Sequence, residues 1–222
     1  MKLSFLLAGT ISSLGTRQSA IAKTPIEGRQ YIGLNGLIVD EQADKRHHGG
    51  LEKAIHHYPY EHYALWQKDI GFKDILQKPG AFGENFSTLG MDETTVAVGD
   101  VFRVGEVLLE VSQGRQPCAT LNERFNIADM AKQVQSNGRA GWYYRIIEEG
   151  YVSSGDEIIL VDRRAPEWTL NKIWHYFYND RLNYDALEQI AQIECLSLNW
   201  RERAQKRLKN RDVEDWSKRL GS

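Results

Sequence analysis

Residues 94–113 read "TTVAVGDVFRVGEVLLEVSQ", and the alternation in this stretch decides the fold class. Val96 and Val98 alternate with smaller residues, "VGD" turns the chain, and Val107, Leu109 and Val111 fall on one face beyond the Gly105-Glu106 turn. Apolar residues two apart share one face of a strand, so the stretch predicts a hairpin with that face against a core. "GWYYRIIEEG" (141–150) and "DEIILVDR" (156–163) add two more β-rich segments. The start, "MKLSFLLAGTISSLG", looks like a weak signal peptide, but its apolar stretch is short and no small-residue cleavage site follows, so it reads as a first strand. Short strands at regular turn signals predict a mainly β domain with helices, a barrel or a sandwich.

Two helices interrupt the strands. In "PYEHYALWQKDI" (59–70) Pro59 suits a first helical turn, where its missing amide hydrogen is no loss. "IADMAKQVQSNG" (127–138) puts Ile127, Met130, Ala131 and Val134 on one face and stops at Asn137-Gly138. After "VDRRAPEW" the period changes. Leu170, Ile173, Trp174 and Phe177 are helically spaced, as are Tyr184, Leu187, Ile190 and Ala191, then Trp200, Ala204 and Leu208, and finally Val213, Trp216 and Leu220. The division is a β-rich domain over 1–162 and a small helical subdomain of three-helix type over 168–222. The basic run "RERAQKRLKNR" (201–211) reads as a solvated helix face, with partner docking as the alternative.

Composition narrows the function classes. The chain has 222 residues, 26% of them charged, and a formal net charge of -2, which excludes a general nucleic-acid binder. Two cysteines, at 118 and 195, make no disulfide framework, so a cytoplasmic address is expected. No run approaches the ~18 apolar residues of a membrane span, so none is expected to cross a membrane.

The chemistry-bearing residues fall in three places. Five of six histidines lie in "RHHGGLEKAIHHYPYEH" (46–62), without HExxH or CxxC spacing, which argues against protein-ligated zinc. Gly49 and Gly50 in "HHGG" either admit a flat ligand or form a tight turn. "GAFGENFSTLG" (80–90) carries Glu84 and Asn85; the amide either reads a heterocycle edge or caps a turn. "QGRQPCATLN" (113–122) places Cys118 after Pro117 and three residues beyond Arg115. A thiolate needs a positive neighbour, which Arg115 supplies, and proline stiffens the loop. Cys195, in a helical run with Ile193 and Leu196, is the structural counterpart.

In order, "SAIAK" (19–23), "GLIVDEQADKRHHGG" (36–50), "YPYEHY" (58–63), "GAFGENFSTLG", "VGDVFRVGEVLLEVSQGRQPC" (98–118) and "GRAGWYYRI" (138–146) resemble the MOSC family, named for the C-terminal domain of molybdenum-cofactor sulfurase. The match is closest to its YiiM-like branch and spans nearly the whole chain. The resemblance implies a β-strand-rich barrel followed by the helical tail. It implies that Cys118 is a molybdenum ligand, in a metal also held by the dithiolene of a pterin cofactor. Cys118 and His48 become the implied catalytic residues, and Lys23, His47, His48, Gly49, Gly50, Asn85, Arg115 and Asn122 the implied cradle for pterin and phosphate. The activity implied is reduction of N-hydroxylated compounds, such as hydroxylaminopurine-type bases and amidoximes. No GxGxxG is present, so electrons are expected from a separate NAD(P)H-dependent flavoprotein, with the helical tail as one docking surface. His47, His48, His56 and His57 are the candidate proton donors. A carrier of cofactor or sulfane sulfur is the rival reading, and a homodimer is left open. Two residues depart from the family pattern: Gly114, where proline is frequent, and Glu52, where aspartate is.

Overall fold

The computed structural model describes residues 1–15, 17–44 and 49–221. Its strands are β1 (Phe5–Ala8), β2 (Ser12–Leu14), β3 (Arg17–Ser19), β4 (Thr24–Pro25), β5 (Gln30–Gly33), β6 (Gly36–Leu37), β7 (Ile55–Pro59), β8 (Phe86–Thr88), β9 (Asp100–Val104), β10 (Val107–Gly114), β11 (Trp142–Glu148), β12 (Gly150–Val152) and β13 (Ile158–Arg163). Its helices are α1 (Glu61–Ile70), α2 (Thr120–Phe125), α3 (Met130–Asn137), α4 (Leu170–Tyr178), α5 (Tyr184–Ala191), α6 (Leu198–Asn210) and α7 (Ser217–Leu220).

The main sheet runs β13-β9-β10-β11-β7-β8-β1-β4. Its pairs are antiparallel except β7 with β8, and a parallel pair needs a crossover, which α1 supplies. The sheet curls back on itself. Leu3 N donates to Asp156 O (2.9 Å) and Ile158 N to Met1 O (2.7 Å), which sets the first residues beside the start of β13. Val107, Leu109 and Val111 lie at 0% exposure inside, with Leu6, Ile55, Phe86, Trp142 and Tyr144. Burying each such aliphatic side chain contributes about 1.5–3 kcal/mol.

The hairpin is present, with Val104 opposite Val107 and Gly105 at φ 55 in the turn. Its first arm starts later than the alternation predicts. Val96 and Val98 are buried but precede the strand, because Gly99 (φ 77) turns the chain and the Asp100 carboxylate accepts the Ala97 N–H at 2.9 Å. Pro59 likewise ends β7 instead of opening α1. Pairing of β7 with β11 stops at His57 opposite Trp142, so the missing amide hydrogen of Pro59 interrupts no ladder. Cys195 lies in a turn between α5 and α6, not in a helix.

The helical unit is integral to the core. Thr169 and Asn183 cap α4 and α5, each through a side-chain oxygen accepting a backbone N–H. The aromatic cluster joins Tyr58, Trp66, Phe82 and Phe125 to Trp174, Phe177, Leu187 and Trp200. Arg207, from the basic run, is 1% exposed; its guanidinium grips Glu214 at 2.9 and 2.8 Å and donates to Phe177 O at 2.9 Å. That arginine therefore ties α6 to α4, which is not the role of a solvated face. A Cβ on Gly114 would stand 3.3 Å from the Trp174 ring, so glycine here lets that indole lie close on the end of β10. The sheet and the helices share these side chains, so removing residues 168–222 would expose the barrel end.

Candidate functional site

Cys118 sits where β10 gives way to α2, a helix not among those expected from the sequence. Arg115 N donates to Gly141 O at 2.9 Å, and Leu121 N donates to Cys118 O at 2.9 Å, so the loop is held at both ends. Cys118 is half-buried and in no disulfide. Arg115 is buried, and its charge acts on the phenol of half-buried Tyr143. Burial raises the Tyr143 phenol above its ordinary range, and Arg115 opposes the shift.

More cations converge here than the sequence marked. Lys53 and Arg219 both interact electrostatically with Cys118, and Arg203 of α6 repels both of them. Burial, then Arg203, lowers the Lys53 ammonium; burial lowers Arg219. Converging cations in a partly desolvated site stabilise anionic sulfur or phosphate.

Behind this rim lies a buried polar run. Lys23 Nζ is 2.6 Å from Asp40 Oδ2, and that oxygen also accepts from Asn85 Nδ2 at 2.9 Å. Asp40 Oδ1 accepts from Gly9 N at 2.8 Å. Asn85 further donates to Leu7 O (3.2 Å) and accepts from His56 N (3.1 Å). Burial lowers the Lys23 ammonium, and Asp40 opposes it. The Asn85 amide thus links β1, β7 and the segment of Asp40. His56 adjoins Arg115 and Lys23; burial first, then Arg115, hold its imidazole well below the ordinary range.

Two carboxylates shape the surrounding loops. Glu84, fully buried, accepts from Gly80 N (2.7 Å), Phe82 N (3.1 Å) and the Tyr63 hydroxyl. Glu93, paired with His62 at 2.7 Å, accepts from Ala140 N (3.1 Å) and Gly141 N (2.7 Å), which orients the carbonyl that receives Arg115 N. Gly141 has φ 71, and a Cβ there would lie 2.2 Å from His57 O, so no larger residue fits that corner.

The remaining candidates are placed as follows. Asn122 donates to Leu220 O (2.8 Å) and accepts from Ala131 N (2.8 Å), so its amide joins the C-terminal tail to α3. Gly50, at φ 93, precedes the 3-10 turn Leu51–Lys53, which carries Lys53 to the rim. Gly49 is half-buried beside it, whereas His47 and His48 lie outside the described residues. Glu52 binds Arg145 (2.6 Å). Among the described residues no three His, Cys, Asp or Glu side chains are grouped to hold a metal. A cavity of about 820 Å³ is lined by Arg145, Arg164, Trp168 and Cys195 and contains none of the Cys118 set. Asp40, Lys53, Arg219 and Glu93 escaped the sequence reading, since their partners lie far along the chain.

His57 is a structural base. It stacks on Trp142 at 4.3 Å, and its ring nitrogens meet Tyr144 Oη (3.0 Å) and Thr88 Oγ1 (2.7 Å). Burial pushes its pKa from 6.5 down to about 3. Between these values the unfolded chain binds a proton that the folded one refuses, so stability drops as the pH is lowered, by about 1.4 kcal/mol for each unit of pH. Denaturant unfolding from about pH 6 to pH 4 should show this slope, and His57→Gln should flatten it; an unchanged slope would assign acid sensitivity elsewhere.

The sequence matches two family models, the MOSC domain over residues 44–159 and the YiiM-like, 3-alpha helix domain over residues 168–211. Protein YiiM of Escherichia coli is 39% identical over 208 residues, covering 92% of this chain and 91% of that protein. The crystal structure of YiiM from Geobacillus stearothermophilus aligns with TM-score 0.80 at 34% identity, covering 93% of this chain and 98% of that one. A Gibberella moniliformis protein named Reductase is 34% identical over 83% of this chain, which spans 33% of that protein. No helix among the described residues is long and apolar enough to cross a membrane. The chain belongs to the MOSC-domain family, in its YiiM-like branch, and joins that branch's helical domain to a strand-rich barrel.

Proposed function

We propose that the protein is a molybdenum-cofactor-dependent reductase of N-hydroxylated compounds, of the hydroxylaminopurine and amidoxime kinds, supplied with electrons by a separate NAD(P)H-dependent flavoprotein. The setting of Cys118 carries this reading: a half-buried thiol at a strand end, on a loop held at both ends, with Arg219 bonded to the neighbouring Pro117 O, Lys53 within electrostatic reach and buried Arg115 three residues before it. The donor set fits the group. Soft sulfur suits molybdenum, and guanidinium and ammonium groups suit a phosphate and a dithiolene. Cys118 would hold the metal, and Arg115 and Lys53 the anionic parts. Lys23, Asp40 and Asn85 would keep the wall behind them rigid. Family membership and the reductase name of the fungal relative support the direction of the chemistry.

When bound, the cofactor supplies the two-electron chemistry that turns N–OH into N–H with release of water. The reaction also consumes two protons. His57 does not deliver them, since both its nitrogens are engaged and it stays neutral to about pH 3. His56 sits behind Arg115 and resists protonation, which leaves His47 and His48 for proton delivery.

Protein purified from a host able to make the cofactor should contain near-stoichiometric molybdenum and pterin and should reduce an amidoxime with a chemical reductant. Metal-free protein bearing a persulfide on Cys118 would establish the sulfur carrier instead.

A further inference from the structure

The C-terminal tail folds back onto the loop that carries the thiol, and one residue takes hold of both sides of Cys118. Arg219 Nη1 donates to Pro117 O at 2.5 Å, while the Arg219 carbonyl accepts the Ala119 N–H at 2.8 Å. Pro117 O belongs to the peptide plane before the Cys118 Cα, and Ala119 N to the plane after it. These two planes set φ and ψ of Cys118, and with them the direction of its Cα–Cβ bond. Proline at 117 removes further freedom on the first side. The same guanidinium donates through Nη2 to Gln135 Oε1, a buried side chain of α3, so Arg219 is itself anchored.

Its neighbours complete the attachment. Leu220 is buried and its carbonyl accepts from Asn122 Nδ2 at 2.8 Å. Gly221 has φ 75, and a Cβ there would come within 2.9 Å of Ala119 Cβ, so the close pass of the tail depends on glycine. A tail docked only for packing would leave these peptide groups to water. Here both are bound by one side chain and its own carbonyl.

We propose that Arg219 is a positioning residue for Cys118, and that residues 216–221 form a clasp which fixes the direction in which the Cα–Cβ bond of Cys118 leaves the loop. The functional part of this inference rests on the reading of Cys118 as the metal ligand. A ligand whose backbone is already oriented needs no ordering when the cofactor arrives, which favours one binding geometry.

Hydrogen exchange on the metal-free full-length chain tests the clasp directly. Arg219→Ala removes the fork, and Gly221→Val forces the tail away from Ala119. In Gly221→Val the amide of Ala119 should exchange about tenfold faster or more, while β10 and β11 keep their protection. Arg219→Ala should loosen the same segment, and Arg219→Lys, which keeps the charge but cannot span Pro117 O and Gln135 together, should fall between it and the parent. In metal-loaded protein both Arg219→Ala and Gly221→Val should lower kcat with KM unchanged. Unchanged exchange at Ala119, or an equal rise across β10 and β11, would overturn the clasp; unchanged kcat would overturn its catalytic part. A parent protein that binds no molybdenum would sink the cofactor reading alone, because the exchange measurement needs no metal.

Discussion

Cys118→Ser should strip the protein of molybdenum and of its activity toward N-hydroxylated substrates while leaving it folded. Serine is close in size, but its hydroxyl keeps its proton near neutral pH and offers hard oxygen where a soft anion is needed. Losing an outer partner of a metal ligand costs roughly 10–100-fold, so losing the ligand should exceed about 100-fold in rate. The side chain is only half-buried, so stability should shift by less than about 1 kcal/mol. Metal content, turnover and a urea melt on the same preparation separate the two effects. A serine variant that keeps its molybdenum and turns over at the parent rate would end the assignment of Cys118 as the ligand.

Asp40→Ala should produce the largest loss of stability. The carboxylate is 2% exposed and holds Lys23, whose side chain is 8% exposed, together with Asn85 and Gly9 N. Removing one partner of a buried pair leaves the other charge unpaired, at a cost of about 3–5 kcal/mol. The urea midpoint should fall accordingly with little change in slope. The pH dependence has a definite sign. Burial already lowers the Lys23 ammonium, and without Asp40 it drops further, so the folded chain binds fewer protons here than the unfolded one. Stability of the variant should therefore recover as pH rises toward the ordinary lysine range. A loss under about 1 kcal/mol, with no recovery in alkali, would mean that the pair is replaceable by water.

What the sequence disclosed followed range of interaction. Val107, Leu109 and Val111 repeat every second residue, and Ile173, Trp174 and Phe177 at helical intervals, so their faces were legible from nearest neighbours alone. Strand ends were less so. Asp100 capping Ala97 and the open β11 side of Pro59 are decided by tertiary placement, which moved the starts of β9 and α1. At the site, the motif order marked Cys118 and Arg115. It did not mark Asp40, whose partners are Lys23 and Asn85, or Arg219, which reaches Pro117 across 102 residues. Side chains that act through distant contacts carry no local period.

The attachment of the tail also orders events during synthesis. Strands up to β13 can pair as the chain emerges, and the seam with residues 1–3 can close once residues 155–158 are out. The two peptide planes around Cys118 gain their partners only when Arg219 follows, after α4, α5 and α6. The barrel is thus shaped early and its thiol loop last.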